Sequence, residues 1–111
     1  MKNASDVVQA QLNAYNDRNI DAFVACFSED VCVRELETGE VLAEGREAFR
    51  EMYAALFDTC PELHATLVNR IVHGPVVVDH ERVTGMQNDT PQEAVAIYEV
   101  DGATIRQVWF A

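Results

Sequence analysis

Glu35 lies in the stretch Val31-Cys32-Val33-Arg34-Glu35-Leu36, whose alternation predicts a β-strand. Side chains alternate across a strand, so Val31, Val33 and Glu35 share one face, and Cys32, Arg34 and Leu36 share the other. A carboxylate in line with two core-facing valines must be paired, hydrogen-bonded or protonated. Desolvation would raise its pKa and suit it to general-base chemistry. The alternative is a structural ion pair with an arginine. Basic groups that could meet it stand in the second stretch of interest, VVVDHERV. There His80 and Arg82 share a face with Val76 and Val78, and Asp79 and Glu81 take the opposite face. If the Val76 face looks inward, His80 and Arg82 can pair with Glu35 or with an anionic ligand. If it looks outward, they belong to a surface charge ladder. Glu35 and His80 are therefore the candidate catalytic residues, and Arg82 a candidate ligand contact.

Other chemistries lack their residues. His64 and His73 form no helical H-x-x-x-H pair with carboxylate support. Cys26, Cys32 and Cys60 show no C-x-x-C spacing, so neither a metal site nor a cofactor is expected. No glycine-rich phosphate loop or nucleophile elbow is present. The odd cysteine count argues against a disulfide framework and fits small buried hydrophobes in a reducing cytoplasm.

The elements that must position these residues follow from period and punctuation. Ser5 and Asp6 can each cap a first helix, Ser5 being the favoured of the two, and the helix carries Val8, Leu12 and Tyr15 at helical spacing. Asn19 caps a short second helix with the stripe Ile20, Phe23, Val24 and Phe27. After the Glu35 strand, Glu37-Thr38-Gly39-Glu40 turns the chain into a short return strand, Val41-Leu42-Ala43. Gly45 opens a third helix with Phe49, Met52, Tyr53 and Leu56 on one face, and Pro61 closes that region. Tyr15 and Tyr53 are thus either core residues or ligand contacts. The period then shifts towards two. Strands are expected over 63–73, 76–84, 93–100 and 104–110, separated by Gly74-Pro75, a loop over 85–91 and the hairpin turn Asp101-Gly102. Asn69 shares the Leu63, Leu67, Ile71 face and reads as a cavity donor or a bulge residue. Helices first and hairpin-connected strands after predict an α+β domain, with helices on one face of a curved, mainly antiparallel sheet. Such a sheet encloses a cavity suited to a small molecule.

The chain has 111 residues, the length of one domain, 1–111, with 49% hydrophobic and 24% charged residues. Eight basic residues against 19 acidic ones give a net charge of −11, which argues against nucleic acid or anionic membrane as partner. The N-terminus lacks an apolar signal core, and no apolar run has the length of a membrane span.

Three blocks, "VVQAQLNAYNDRNIDAFVACFSEDV", "GEVLAEGREAFREMYAALF" and "AIYEVDGATIRQVWF", resemble the nuclear-transport-factor-2-like superfamily, which includes ketosteroid isomerases and SnoaL-like polyketide cyclases. The resemblance implies an NTF2-like cone, with three N-terminal helices packed on a strongly curved mixed, mainly antiparallel sheet. It implies binding of a small, mainly apolar molecule, with an isomerase- or cyclase-like proton transfer or a non-catalytic binding or interaction role as the alternatives. It places Glu35 at the isomerase base position, pointing into the cone. It places Gln11 and Ala96 at the oxyanion-donor positions; Gln11 can donate a hydrogen bond and Ala96 cannot. Through the final hairpin it turns Ala94, Ala96 and Tyr98 inward, with Val108 and Phe110 opposite, so Tyr98 and Phe110 become ligand contacts. Val95, Ile97, Ile105 and Trp109 are left on the outer face, towards a second copy in a homodimer.

Overall fold

The computed structural model describes residues 3–88 and 90–111. Helix α1, Ala4–Asp17, is capped by Asn3 and not by Ser5. The Asn3 side chain accepts the Asp6 N–H at 3.0 Å, and the Asp6 carboxylate accepts the Asn3 N–H at 3.3 Å, a reciprocal box that Ser5 lies too late in the chain to make. Asn19 caps α2, Ile20–Val24, as expected, and Gly45 precedes α3, Arg46–Thr59. The strands are β1 Phe27–Glu35, β2 Val41–Glu44, β3 His64–His73, β4 Val76–Thr84, β5 Gln92–Asp101 and β6 Thr104–Phe110. Among the described residues, no helix is long and apolar enough to cross a membrane.

The six strands form one sheet in the order β2-β1-β6-β5-β4-β3. The β1–β6 pair is parallel and the other neighbours are antiparallel, so the α+β, mixed, mainly antiparallel expectation holds. The helices cover one face. Between them and the sheet, Phe23 stacks on Phe49 with ring centroids 5.5 Å apart, and Phe27 meets Phe49 at 4.3 Å. Tyr15, Tyr53 and Phe57 extend this aromatic cluster. Such rings combine large buried area with edge and face contacts of about 0.5–1.5 kcal/mol each.

Register irregularities mark three places in the sheet. Between β1 and β2 the extra residue is Leu42, on β2, while the β1–β6 register runs unbroken from Cys32 to Glu35, so Glu35 keeps the face of Val33 at the end of its strand. In β3 the pairing with β4 shifts between Leu67 and Asn69, which makes Val68 the extra residue. Ala65 and Leu67 face inward before the bulge, and Arg70 does so after it. In β6 the pairing with β5 shifts between Glu99 and Val100, leaving Arg106 unpaired and setting Ile105 against Val100. Ile105 is therefore fully buried and not on the outer face as expected.

Gly85 follows β4 with φ +79°, and a Cβ there would lie 2.0 Å from the Glu62 carbonyl oxygen. The close approach locks the loop after β4 against the chain entering β3. Gly85→Ala combines left-handed strain with a backbone clash, and should cost roughly 2–4 kcal/mol in urea denaturation. A variant as stable as the parent would show that this loop is not anchored there.

Candidate functional site

On β4 the inward face carries Val77, Asp79 and Glu81, all buried, with Val83 half-buried beyond them. Asp79 is fully buried and Glu81 only 7% exposed. Two acids this deep need compensation, and the β3 bulge supplies it for one. It sets Arg70 directly opposite Asp79. The guanidinium grips both carboxylate oxygens, Nε to Oδ1 at 2.7 Å and Nη2 to Oδ2 at 2.9 Å, and Nη1 donates to Gln9 Oε1 on α1 at 2.8 Å. Bidentate geometry of this kind suits a buried pair better than a lysine could. The hydrogen bond with Asp79 also holds the Arg70 pKa above its ordinary value.

Glu81 has no such partner. Among the described residues no hydrogen bond is made to its carboxyl. Burial pushes its pKa from 4.5 to about 7; the Asp79 charge adds to the rise, and Arg70 opposes it. The carboxyl forms part of the wall of a cavity of about 200 Å³. Its polar lining is completed by Gln11, Tyr15, Tyr53, Gln92 and Tyr98, and its apolar lining includes Phe23, Phe27, Phe49, Val108 and Phe110. Met86, from the loop anchored by Gly85, also lines it. All three phenols are held above their ordinary pKa, first by burial and then by nearby charge, with Glu81 a contributor in each case. They are therefore neutral O–H groups at physiological pH. Gln11 Nε2 donates to the Tyr98 hydroxyl at 3.3 Å, leaving the phenolic proton to be donated elsewhere.

Of the residues singled out in the sequence, Gln11, Tyr15, Tyr53, Tyr98 and Phe110 line this cavity together. Four stand apart. Glu35 is half-buried at the end of β1, where its N–H donates to the Glu40 carbonyl at 2.8 Å in the β1–β2 turn, and it does not line the cavity. His80 lies on the opposite face of β4 from Glu81, with Nε2 2.7 Å from Glu93 Oε1, so the outward, charge-ladder arrangement is the one adopted. Arg82 shares that face and is exposed. Asn69 is exposed beside the bulge and accepts the Arg70 N–H. Sequence reasoning missed Glu81, Asp79 and Arg70. The available signal was Val77 and Val83 flanking the two acids at period two.

Comparison with known proteins finds the SnoaL-like domain profile matching residues 8–108. No curated protein matches the sequence. An uncharacterised cystatin-fold protein from Novosphingobium aromaticivorans is 27% identical, with a TM-score of 0.90 over 100% of this chain and 99% of that one. An NTF2-like protein of unknown function from Cytophaga hutchinsonii is 15% identical, with a TM-score of 0.81 over 100% and 90%. A candidate polyketide cyclase from Sinorhizobium meliloti is 18% identical, with a TM-score of 0.82 over 96% and 94%. The last two likenesses are of fold.

The raised pKa of Glu81 links protonation to stability. The folded state holds this proton more tightly than the unfolded chain, whose carboxyl titrates at the ordinary 4.5. Its contribution to stability is present in full below pH 4.5 and is lost as pH rises to about 7. Glu81→Gln cannot ionise, so between acid and pH 8 it should lose less stability than the parent, by on the order of 2 kcal/mol. Urea denaturation across that range measures the difference. Parallel stability curves for the two proteins would mean that Glu81 ionises without cost.

Proposed function

Since the chain belongs to the SnoaL-like domain family, we propose that it binds a small, mainly apolar molecule in the aromatic cavity and transfers a proton on it, an isomerase- or cyclase-type activity with Glu81 as the base. One observation carries this reading: a carboxyl that titrates near 7 lines the cavity alongside three neutral phenols. A base is most useful when its pKa lies near the working pH, because it is then ionised and still basic enough to take a proton. The phenols supply donors for an oxygen on which negative charge develops as the carbon beside it loses its proton. Glu81 holds that proton and can return it to a second carbon. The family resemblance favours Glu35 for this role; the geometry favours Glu81, because Glu35 does not line the cavity.

A second copy of the chain is the proposed partner for the outer sheet face. The register aligns Ile71, Val78, Ile97 and Trp109 in one row across four strands on the side away from the helices. Ile71 is 61% exposed, and the other three are half-buried. A net charge of −11 opposes association, so a dimer would use this uncharged row.

Two experiments test these readings. Incubation with a ketone panel in heavy water, followed by proton NMR, should show enzyme-dependent exchange of hydrogens beside the carbonyl. Glu81→Gln should slow it by roughly 10²-fold or more, the usual share of a general base. Glu35→Gln should leave it near the parent rate. The reverse ranking would return the base to β1. Light scattering at micromolar concentration should give the mass of two chains, and Trp109→Asp should give the mass of one.

A further inference from the structure

The charge and size of the cavity narrow what can enter it. Among the described residues, no lysine, arginine or histidine lines it. The one cation among the described residues whose charge reaches Glu81 is Arg70, and both its edges are committed, to Asp79 at 2.7 and 2.9 Å and to Gln9 at 2.8 Å. The groups that face Glu81 are Asp79 on its own strand, Arg70 on β3, Tyr15 on α1, Tyr53 on α3 and Tyr98 on β5. An anion entering here would meet Glu81 and Asp79 with no free counter-charge. Juxtaposed like charges cost several kcal/mol in an interface of this kind.

An ammonium ion fits the donors no better. The phenol protons need an acceptor, and Tyr98 already accepts from Gln11, so its own proton is available to a ligand oxygen. An ammonium has only donors to offer. The cavity of about 200 Å³ is also smaller than usual ligand pockets, which run from about 300 Å³ upward, and a cavity of about 150 Å³ takes one benzene ring.

We infer that the ligand is an uncharged, one-ring carbonyl compound, and that the site rejects carboxylates and four-ring steroids. This rests on the cavity being the ligand site, as proposed above, but not on proton transfer there. The committed Arg70 is the specificity device. With the guanidinium free, the same wall would attract anions; clamped by Asp79, it leaves the carboxyl of Glu81 to repel them.

Isothermal titration of the parent protein tests this with four aromatic probes and a steroid. Para-methylacetophenone should bind. At pH 9, where Glu81 is ionised, para-acetylbenzoate should bind at least roughly thirtyfold more weakly than its neutral isostere para-nitroacetophenone, as expected for an uncompensated like-charge contact. Para-methylbenzylamine should bind more weakly than para-methylacetophenone, and a four-ring steroid ketone should give no heat of binding. In Glu81→Gln the rejection of para-acetylbenzoate should shrink. Equal binding of the benzoate and its nitro isostere overturns the inference, as does preference for the amine or the steroid. If the neutral ketones bind selectively but exchange no hydrogen, the ligand class stands and the proton-transfer reading falls. If none of the aromatic probes binds, both fall.

Discussion

The cavity wall depends on one ion pair, Arg70 with Asp79, and that pair depends on one extra residue in β3. Without the bulge at Val68, alternation from Ala65 and Leu67 would turn Asn69 and Ile71 inward and send Arg70 to solvent. Asp79 would then be a fully buried carboxylate with no cation. Losing one partner of a buried pair costs about 3–5 kcal/mol, a large share of the stability of a small protein. The bulge is thus coupled to the acid it serves. A bulge bends its strand and increases local twist, so the same residue contributes to the curvature that opens space beneath the helices.

Glu81 is two residues from Asp79 on the same face but has the opposite fate. Arg70 can satisfy one carboxylate in bidentate fashion, and a third contact takes it to Gln9 on α1. Glu81 receives only the attraction of a cation already neutralised by its neighbour, together with the repulsion of that neighbour. Burial then sets its titration near neutrality. Two acids of the same strand thus differ in their partners, and burial raises the pKa of the one that Arg70 does not grip, an arrangement that suits acid–base chemistry. The three phenols complete it, because the raised pKa of each keeps the proton on its oxygen.

Much of this fold was legible in the sequence, since the signals were local. The Asn19 cap, Gly45 before α3, the Gly74-Pro75 turn and the period of the later strands gave element type and order. The inward placement of Tyr98 and Phe110 came from the resemblance to a known family through the final hairpin. The face of β4 was not legible, because each face of VVVDHERV carries two valines and two ionisable residues. Hydrophobic count ties, and only the pairing with Arg70 across the β3 bulge breaks the tie. Ile105 was misplaced for a related reason: it lies just beyond the irregularity at Arg106, and alternation read from Trp109 does not survive the shift. Glu35 does keep the face of Val33, but at the end of β1 it lies outside the residues that line the cavity. The Asn3 cap was missed because Ser5 and Asp6 offer a competing signal that differs only by position.

A buried acid without a partner is a standing cost, and the surroundings of Glu81 show how it is borne. The aromatic cluster of Phe23, Phe27, Phe49 and Phe57 packs beside the cavity and supplies the large apolar burial from which that cost can be met. An apolar residue at position 81 would remove the cost and strengthen the core, as replacement of buried ionic groups often does. It would also remove the one group among the described residues that titrates near neutral pH on the cavity wall. The cavity itself forgoes packing contacts in the same way. Both departures from the most stable arrangement fall at the same place in the structure, between β4 and the helices. That coincidence is expected where local stability is exchanged for a site, and it supports the proposed site at the cavity wall over any exposed charge.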